Sequence, residues 1–142
     1  MPMDPYLESR ILAADPVELI HILYEHALTQ VKLARVALAE GNIPARCHAV
    51  TKTLEALGEL EVSLDYKAGG AISQNLAKLY QYMRKRLLEA TVKRDAGALA
   101  EVESLIRTLD DGWTAMQHAT SAPPELLYAH AVSDAVAHSW SA

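Results

Sequence analysis

Helix start and stop signals divide this sequence into segments of similar length, and they constrain the fold more than any other feature. Asp15 suits a helix-capping position, Pro16 suits the first turn that follows, and Glu18 lies three residues after the cap. Gly41 is a natural stop after about Glu40. These signals predict a first long helix of about 25 residues, roughly 38 Å in length at 1.5 Å per residue.

The same signals predict three more long helices and a short one. Asn42 and Asp95 are capping residues, and a loop at 66–70 with two glycines separates the second long helix from the third. Pro124 can open a short last helix that ends at about Ala137. The predicted ranges of the second, third and fourth long helices are 42–65, 71–93 and 96–119.

Apolar residues recur along these helices at the spacing expected of a bundle core. Ala and Leu supply 44 of the 142 residues and Phe is absent, a composition that favours helices over sheets. Short connections make consecutive helices antiparallel neighbours, so we predict an all-α, antiparallel four-helix bundle. The predicted core positions are Ile43, Cys47, Val50, Leu54, Leu57 and Leu64 on the second helix, Ile72, Leu76, Leu79, Met83, Leu87 and Ala90 on the third, and Leu99, Val102, Ile106, Leu109, Trp113 and Met116 on the fourth.

Charge and composition exclude several classes of protein. The net charge of −5 argues against a nucleic-acid binder, whose affinity comes largely from basic groups that neutralise phosphates. The single cysteine, Cys47, cannot form an internal disulfide, which favours a reducing compartment. No secretory signal is visible, and no apolar run reaches the roughly 18 residues that span a bilayer. We therefore predict a cytoplasmic protein without membrane insertion.

The first long helix carries more apolar surface than one core stripe requires. Ile22, Leu33 and Val36 lie on a second face, with His26 and Thr29 between them. Two interpretations stay open. The strip packs beneath the N-terminal segment or the last helix, or it is exposed and binds a partner.

The third long helix carries a mixed row beside its core stripe. Asn75, Leu79, Tyr82 and Arg86 are spaced +4, +3 and +4, so they share one face. The row fits either an ordinary core boundary or a recognition face, where Tyr and Arg are enriched.

Catalytic or metal chemistry has weak support in the sequence. Glu18 and His21 form one E-x-x-H pair, whereas a di-iron bundle needs two such pairs and two further inward carboxylates. Cys47 occupies a core-type position, where a buried, inert thiol is expected. We predict that the protein is not an enzyme and has no cofactor or metal site. Stoichiometric iron or manganese in the purified protein would refute the prediction of no metal site.

Several separate segments resemble the flagellar secretion chaperone FliS family. The strongest is LDYKAGGAISQNLAKLYQYM at 64–83, similar to the family pattern LD-x-x-x-GG-x-I-x-x-NL-x-x-LY-x-YM. The other matching residues are Tyr6, Ile11 and Pro16 at five-residue intervals, the segments 14–16, 18–20 and 23–24 of the first helix, and Trp113. The resemblance covers about residues 6–116.

The resemblance implies a helical bundle that binds the C-terminal, otherwise disordered segment of flagellin. It implies that the protein prevents premature polymerisation and supports delivery to the flagellar type III export apparatus. It also implies an N-terminal cap segment over the binding surface, with Tyr6 and Ile11 in it. The expected division is a cap segment at 1–14, the bundle at 15–119 and a tail or short helix at 120–142. The expected binding residues are Tyr6, Ile11, Ile22, Leu33, Val36, Asn75, Leu79, Tyr82 and Arg86.

Departures from the family pattern keep a second function open. Glu25 and His26 stand where the family usually has Asp-Gly, Thr91 stands in place of an Asn, and Lys67-Ala68 replaces an acidic-basic pair. The alternative is a FliS-like adaptor for another secreted or regulatory flagellar protein, and flagellar export or regulatory proteins are further expected partners.

Overall fold

The computed structural model describes residues 5–13, 15–117 and 128, and these residues form five helices. The predicted short helix at 124–137 and the end of the fourth long helix lie outside the described residues. In chain order the helices are α1 (Pro5–Ala13), α2 (Pro16–Glu40), α3 (Ile43–Val62), α4 (Tyr66–Lys93) and α5 (Ala96–Gln117).

The predicted helix caps are confirmed. Asp15 accepts a hydrogen bond from the Glu18 backbone N–H at 2.8 Å, and Gly41 ends α2 in the left-handed conformation at φ 70°. Asn42 accepts from the Ala45 N–H at 3.1 Å. Each cap satisfies a backbone group that the helix itself leaves unpaired.

Helices α2 to α5 form the predicted four-helix bundle. Helix α2 packs against α3 and α5, and α4 packs against the same two helices, so α2 and α4 lie diagonally opposite. The ends match an antiparallel arrangement, because Trp113 near the end of α5 donates its indole N–H to the carbonyl of Val17 at the start of α2, at 3.1 Å. Helix α1 packs on α2 outside this ring.

Helix α4 begins earlier than predicted. Residues 66–69 form a helical turn, capped by Asp65, instead of a loop. Gly70 then departs from helical geometry, with φ 54° and ψ −128°, a conformation that only glycine adopts at low cost. The predicted interruption therefore lies at one residue, and α3 ends at Val62 rather than at Asp65.

Three predicted core residues are wrong: Ile43, Cys47 and Ile72 are exposed. On α3 the interior position belongs to Arg46, which is buried and has a guanidinium N–H 3.4 Å from the Thr91 carbonyl. This turns the neighbouring Cys47 outward.

The corresponding rotation of α4 comes from small residues at interior positions. Ser73 and Ala77 are buried there, and the side chain of Ser73 donates to the Asp65 carbonyl at 3.0 Å. Ile72, one position earlier, then faces outward. The sequence pattern favoured the large apolar residues for the core. It therefore placed the buried face of α3 and of α4 one residue away from its true position in the first turns of these helices.

Candidate functional site

The second apolar face of α2, which we call the outer strip, consists of Ile22, Leu33 and Val36 together with Thr29. At 100° per residue these four positions lie within about 60° of one another. The structure divides the strip along its length. Ile22 is 1% exposed, whereas Leu33 is 51% and Val36 is 53% exposed. Of the two interpretations, the covered one therefore holds for Ile22 and the exposed one for Leu33 and Val36.

Helix α1 covers the first half of the outer strip. Leu7 and Ile11 are its buried residues, and their i, i+4 spacing places both on the face toward α2. Arg10 donates to the Glu25 carboxylate at 3.2 Å, although both groups are partly exposed. A shallow seam of about 200 Å³ lies between the two helices and is bordered by Leu7 and Ile22. Leu7, Ile11 and the solvent-screened Arg10–Glu25 ion pair thus contribute to holding α1 on α2.

The two residues expected in the cap segment have different positions. Ile11 is buried against the bundle, but Tyr6 is 70% exposed. The Arg10 guanidinium carbon lies over the Tyr6 ring, 5.8 Å from the ring centroid. Leu7, rather than Tyr6, is the second residue of α1 that is buried against the bundle. The i, i+4 pair of Leu7 and Ile11 was the signal for this face in the sequence.

The open half of the outer strip borders a groove of about 730 Å³ between the end of α2 and the start of α5. Val36 lies on the groove, and Lys32, Arg35 and Arg94 line it as well. Glu103 of α5 is the acidic residue among the lining residues. The groove therefore combines apolar surface with an excess of positive charge.

Glu103 fixes α5 against α2 beside this groove. Arg35 donates to one carboxylate oxygen at 2.9 Å and Arg107 to the other at 3.0 Å. Burial alone raises the pKa of Glu103, but the two guanidinium groups outweigh burial and lower it below its usual value. The carboxylate is therefore ionised and bound on both sides.

The mixed row of α4 is tied to α5 through Glu101. Tyr82 donates its hydroxyl hydrogen to the Glu101 carboxylate at 2.9 Å, and Arg86 donates from Nε to the same group at 2.7 Å. Leu79 packs against the core, and Asn75 is exposed. The structure thus places the four predicted residues on one face, with Tyr82 and Arg86 joined by a carboxylate that sequence reasoning missed.

Ionisation in this cluster follows from its hydrogen bonds. The bond from Arg86 is the main cause that lowers the pKa of Glu101, and the bond to Glu101 raises the pKa of Tyr82. The three groups form a polar edge between α4 and α5 that is fixed at neutral pH.

Sequence reasoning also missed a buried tyrosine triad of Tyr24, Tyr80 and Tyr128. The hydroxyl oxygens of Tyr24 and Tyr80 lie 2.6 Å apart, and that of Tyr128 lies 3.0 Å from Tyr24 and 2.5 Å from Tyr80. All three side chains are buried. Tyr24 and Tyr80 belong to the family-like segments, but nothing in the sequence connects either to a residue beyond α5.

The described residues contain no group of three His, Cys, Asp or Glu side chains arranged to hold a metal ion. His21, of the E-x-x-H pair, instead lies 2.6 Å from Asp110 and 3.2 Å from Glu25. Among helices α1 to α5, none combines the length and apolar character needed to cross a membrane.

Comparison with known proteins gives a consistent family assignment. The family described as "Flagellar protein FliS" matches residues 2–120. The flagellar secretion chaperone FliS of Salmonella typhimurium is 36% identical over 108 residues, which cover 75% of this chain and 80% of that protein. The flagellar secretion chaperone FliSB of Pseudomonas aeruginosa is 33% identical over 112 residues, covering 79% and 89%. FliS of Bacillus subtilis is 30% identical over 112 residues, covering 79% and 83%. The chain therefore belongs to the FliS family of flagellar proteins.

Proposed function

We propose that this protein is a cytoplasmic flagellar export chaperone that binds the C-terminal segment of flagellin. In this proposal it keeps flagellin from polymerising early and supports its delivery to the type III export apparatus. Family membership supports the general role, because the similar proteins are named flagellar secretion chaperones. No catalytic step is part of the proposal.

The observation that carries the proposal is the divided outer strip of α2. A helix of the chain itself, α1, already occupies one half through Leu7 and Ile11. The other half, with Leu33 and Val36, is open and continues along the same helix face. The covered half already binds one amphipathic helix. The whole strip is therefore suited to bind a longer amphipathic helix of a partner, in the helix-in-groove mode.

The proposed division of the chain assigns one role to each of three segments. Residues 1–14 act as a cap segment, 15–119 as the client-binding bundle, and 120–142 as a tail. Binding of the client displaces α1 and gives access to Ile22, so that Ile22, Leu33 and Val36 form one continuous apolar contact. A disordered client loses conformational entropy on binding, and a long contact offsets that cost.

The mixed row of α4 supplies the second part of the proposed site. Asn75, Tyr82 and Arg86 present hydrogen-bonding groups beside the partly buried Leu79. Because Glu101 already holds Tyr82 and Arg86 in place, their side chains lose little further freedom when a partner binds. Tyr and Arg in such positions are typical of residues that dominate binding energy.

Binding of a flagellin C-terminal segment to the purified protein tests the proposal. We expect a complex by gel filtration at micromolar concentrations, and we expect calorimetry to show a hundredfold or so weaker binding for a Leu33→Asp, Val36→Asp double variant. Both side chains are about half exposed, so the bundle should fold normally. Val92→Asp is the matched control, because Val92 is 82% exposed and lies off both proposed faces. No complex, or equal losses in the test and control variants, would refute the proposal.

The alternative function is a FliS-like adaptor for another secreted or regulatory flagellar protein. Glu25 favours it, since this residue replaces the usual family residue and is bonded to Arg10 of the cap segment. A pull-down from native lysate separates the two functions. Recovery of flagellin as the main species supports the first, and recovery of another flagellar protein supports the second.

A further inference from the structure

Tyr128 lies 11 residues beyond the end of α5, yet its side chain is buried in the bundle. Its ring packs edge-on against Trp113, with ring centroids 5.5 Å apart and planes at 85°. Its backbone forms an isolated antiparallel bridge with Leu64, in the connection between α3 and α4. Three separate contacts thus hold one residue: the phenol hydroxyl, the ring and the backbone.

The hydroxyl contacts of Tyr128 make the pocket selective. Each phenol has one O–H donor and can accept a hydrogen bond, so three mutually close hydroxyls form a closed ring in which each donates once and accepts once. Without Tyr128, Tyr24 and Tyr80 still bond to each other. One buried donor and one buried acceptor then lack a partner, and a single hydroxyl group supplies both.

We infer that α2, α4 and α5 form a tyrosine-binding pocket, lined by Tyr24, Tyr80 and Trp113, whose occupant is Tyr128 of this chain. The pocket recognises a neutral phenol, and it fastens Tyr128 to the end of the bundle where α2 begins. This inference goes beyond the proposed function and does not depend on the identity of any client.

The requirement for a hydroxyl follows from the cost of burial. A phenylalanine ring fills the same space and contacts Trp113 equally well, but it leaves a buried hydroxyl of Tyr24 or Tyr80 without its second partner. Burial also raises the pKa of all three phenols, which is consistent with a site for neutral groups.

Covalent connection makes Tyr128 a strong competitor for its own pocket. Ten residues, 118–127, join Gln117 to Tyr128. A connection of this length gives an effective concentration on the order of millimolar. A free phenol should therefore bind the intact protein poorly and bind the same pocket well once the Tyr128 side chain is removed.

The first test uses p-cresol, which has the side-chain structure of tyrosine, with the Tyr128→Ala variant. We expect at least about tenfold tighter p-cresol binding by this variant than by the wild-type protein, measured by calorimetry. We also expect p-cresol to bind the variant on the order of tenfold more tightly than toluene, which lacks the hydroxyl. Tyr128→Phe is the control, because its ring keeps the pocket filled. Equal binding of p-cresol and toluene would overturn the selectivity.

A second test uses the unmodified protein and does not depend on how a variant folds. Tetranitromethane nitrates accessible tyrosines, and the exposed Tyr6 and Tyr66 should react quickly. Tyr128 should remain unmodified with Tyr24 and Tyr80 until the protein is unfolded. Nitration of Tyr128 at the rate of Tyr6 would show that the pocket is empty in solution and would refute the inference.

Discussion

Truncation of Ile11 tests how α1 is held on the bundle. The side chain is buried against α2, and Ile11→Ala removes three carbon atoms from that contact. At about 0.8 kcal/mol per buried carbon, the docked state of α1 loses about 2.4 kcal/mol. Since 1.4 kcal/mol corresponds to a tenfold change, the equilibrium between docked and undocked α1 shifts roughly 50-fold.

Hydrogen exchange followed by mass spectrometry measures this shift directly. A peptide covering 5–13 should exchange faster by up to about 50-fold in the variant, because its amides exchange when α1 leaves the bundle. Peptides from α3 and α4 should be unchanged, since α1 contacts α2 alone among the described helices.

Two control variants distinguish docking from helix propensity. Leu12→Ala makes a similar truncation on the solvent side, where Leu12 is 69% exposed, and should leave exchange of 5–13 almost unchanged. Tyr6→Ala should have a smaller effect than Ile11→Ala, because the Tyr6 ring is also exposed. If Tyr6→Ala or Leu12→Ala releases α1 as strongly as Ile11→Ala, burial of Ile11 does not hold the helix.

The same variant links docking to the proposed function. If α1 covers part of the client surface, most molecules of the free protein are not ready to bind, and the measured affinity is reduced by that fraction. Ile11→Ala should then bind the flagellin segment more tightly than the wild-type protein. Weaker binding would mean that α1 contributes to the client contact instead of covering it.

Four further predictions concern stability and reactivity. Tyr80→Phe should lower the free energy of unfolding by about 1–3 kcal/mol in urea titrations, because it opens the tyrosine triad. The triad phenols have raised pKa values in the fold, so their contribution to the free energy of unfolding should be complete below about pH 10 and lost as the pH rises further. Unfolding of the wild-type protein and of Tyr80→Phe, followed by circular dichroism at neutral and alkaline pH, checks this. Glu101 has a lowered pKa, so its bond to Arg86 should stabilise the fold above about pH 4 and stabilise it less as the pH falls. In acid titrations, the Glu101→Gln variant should show a weaker dependence of stability on pH. Cys47 should react with Ellman's reagent in the native state at nearly its unfolded rate, because it is exposed.

The bundle was predictable because its signals are local. Asp15, Gly41 and Asn42 act within one helical turn, and the structure has each cap where the sequence placed it. The orientation of helix faces is not local. Arg46 is interior, and the carbonyl that accepts its hydrogen bond lies 45 residues away, which no periodicity of apolar residues reveals.

The proposed site was predictable to a similar degree. The outer strip followed from helical spacing, but which half α1 covers depends on tertiary packing that spacing does not contain. The mixed row predicted on α4 lacked Glu101 for the same reason, since Glu101 lies on another helix. The tyrosine triad joins positions as far as 104 residues apart, and its hydrogen bonds exist only in the folded chain.

The attachment of α1 to α2 alone among the described helices has a consequence for timing. Release of α1 breaks the contacts of Leu7 and Ile11 and the Arg10–Glu25 ion pair, and it leaves the packing of α2 to α5 in place. Local opening of this kind occurs in about microseconds to seconds and does not require unfolding of the whole domain. If α1 covers the client surface as proposed, the waiting time before a client can reach Ile22 is set by undocking of α1, and a variant with a stabilised bundle should capture its client as quickly as the wild-type protein.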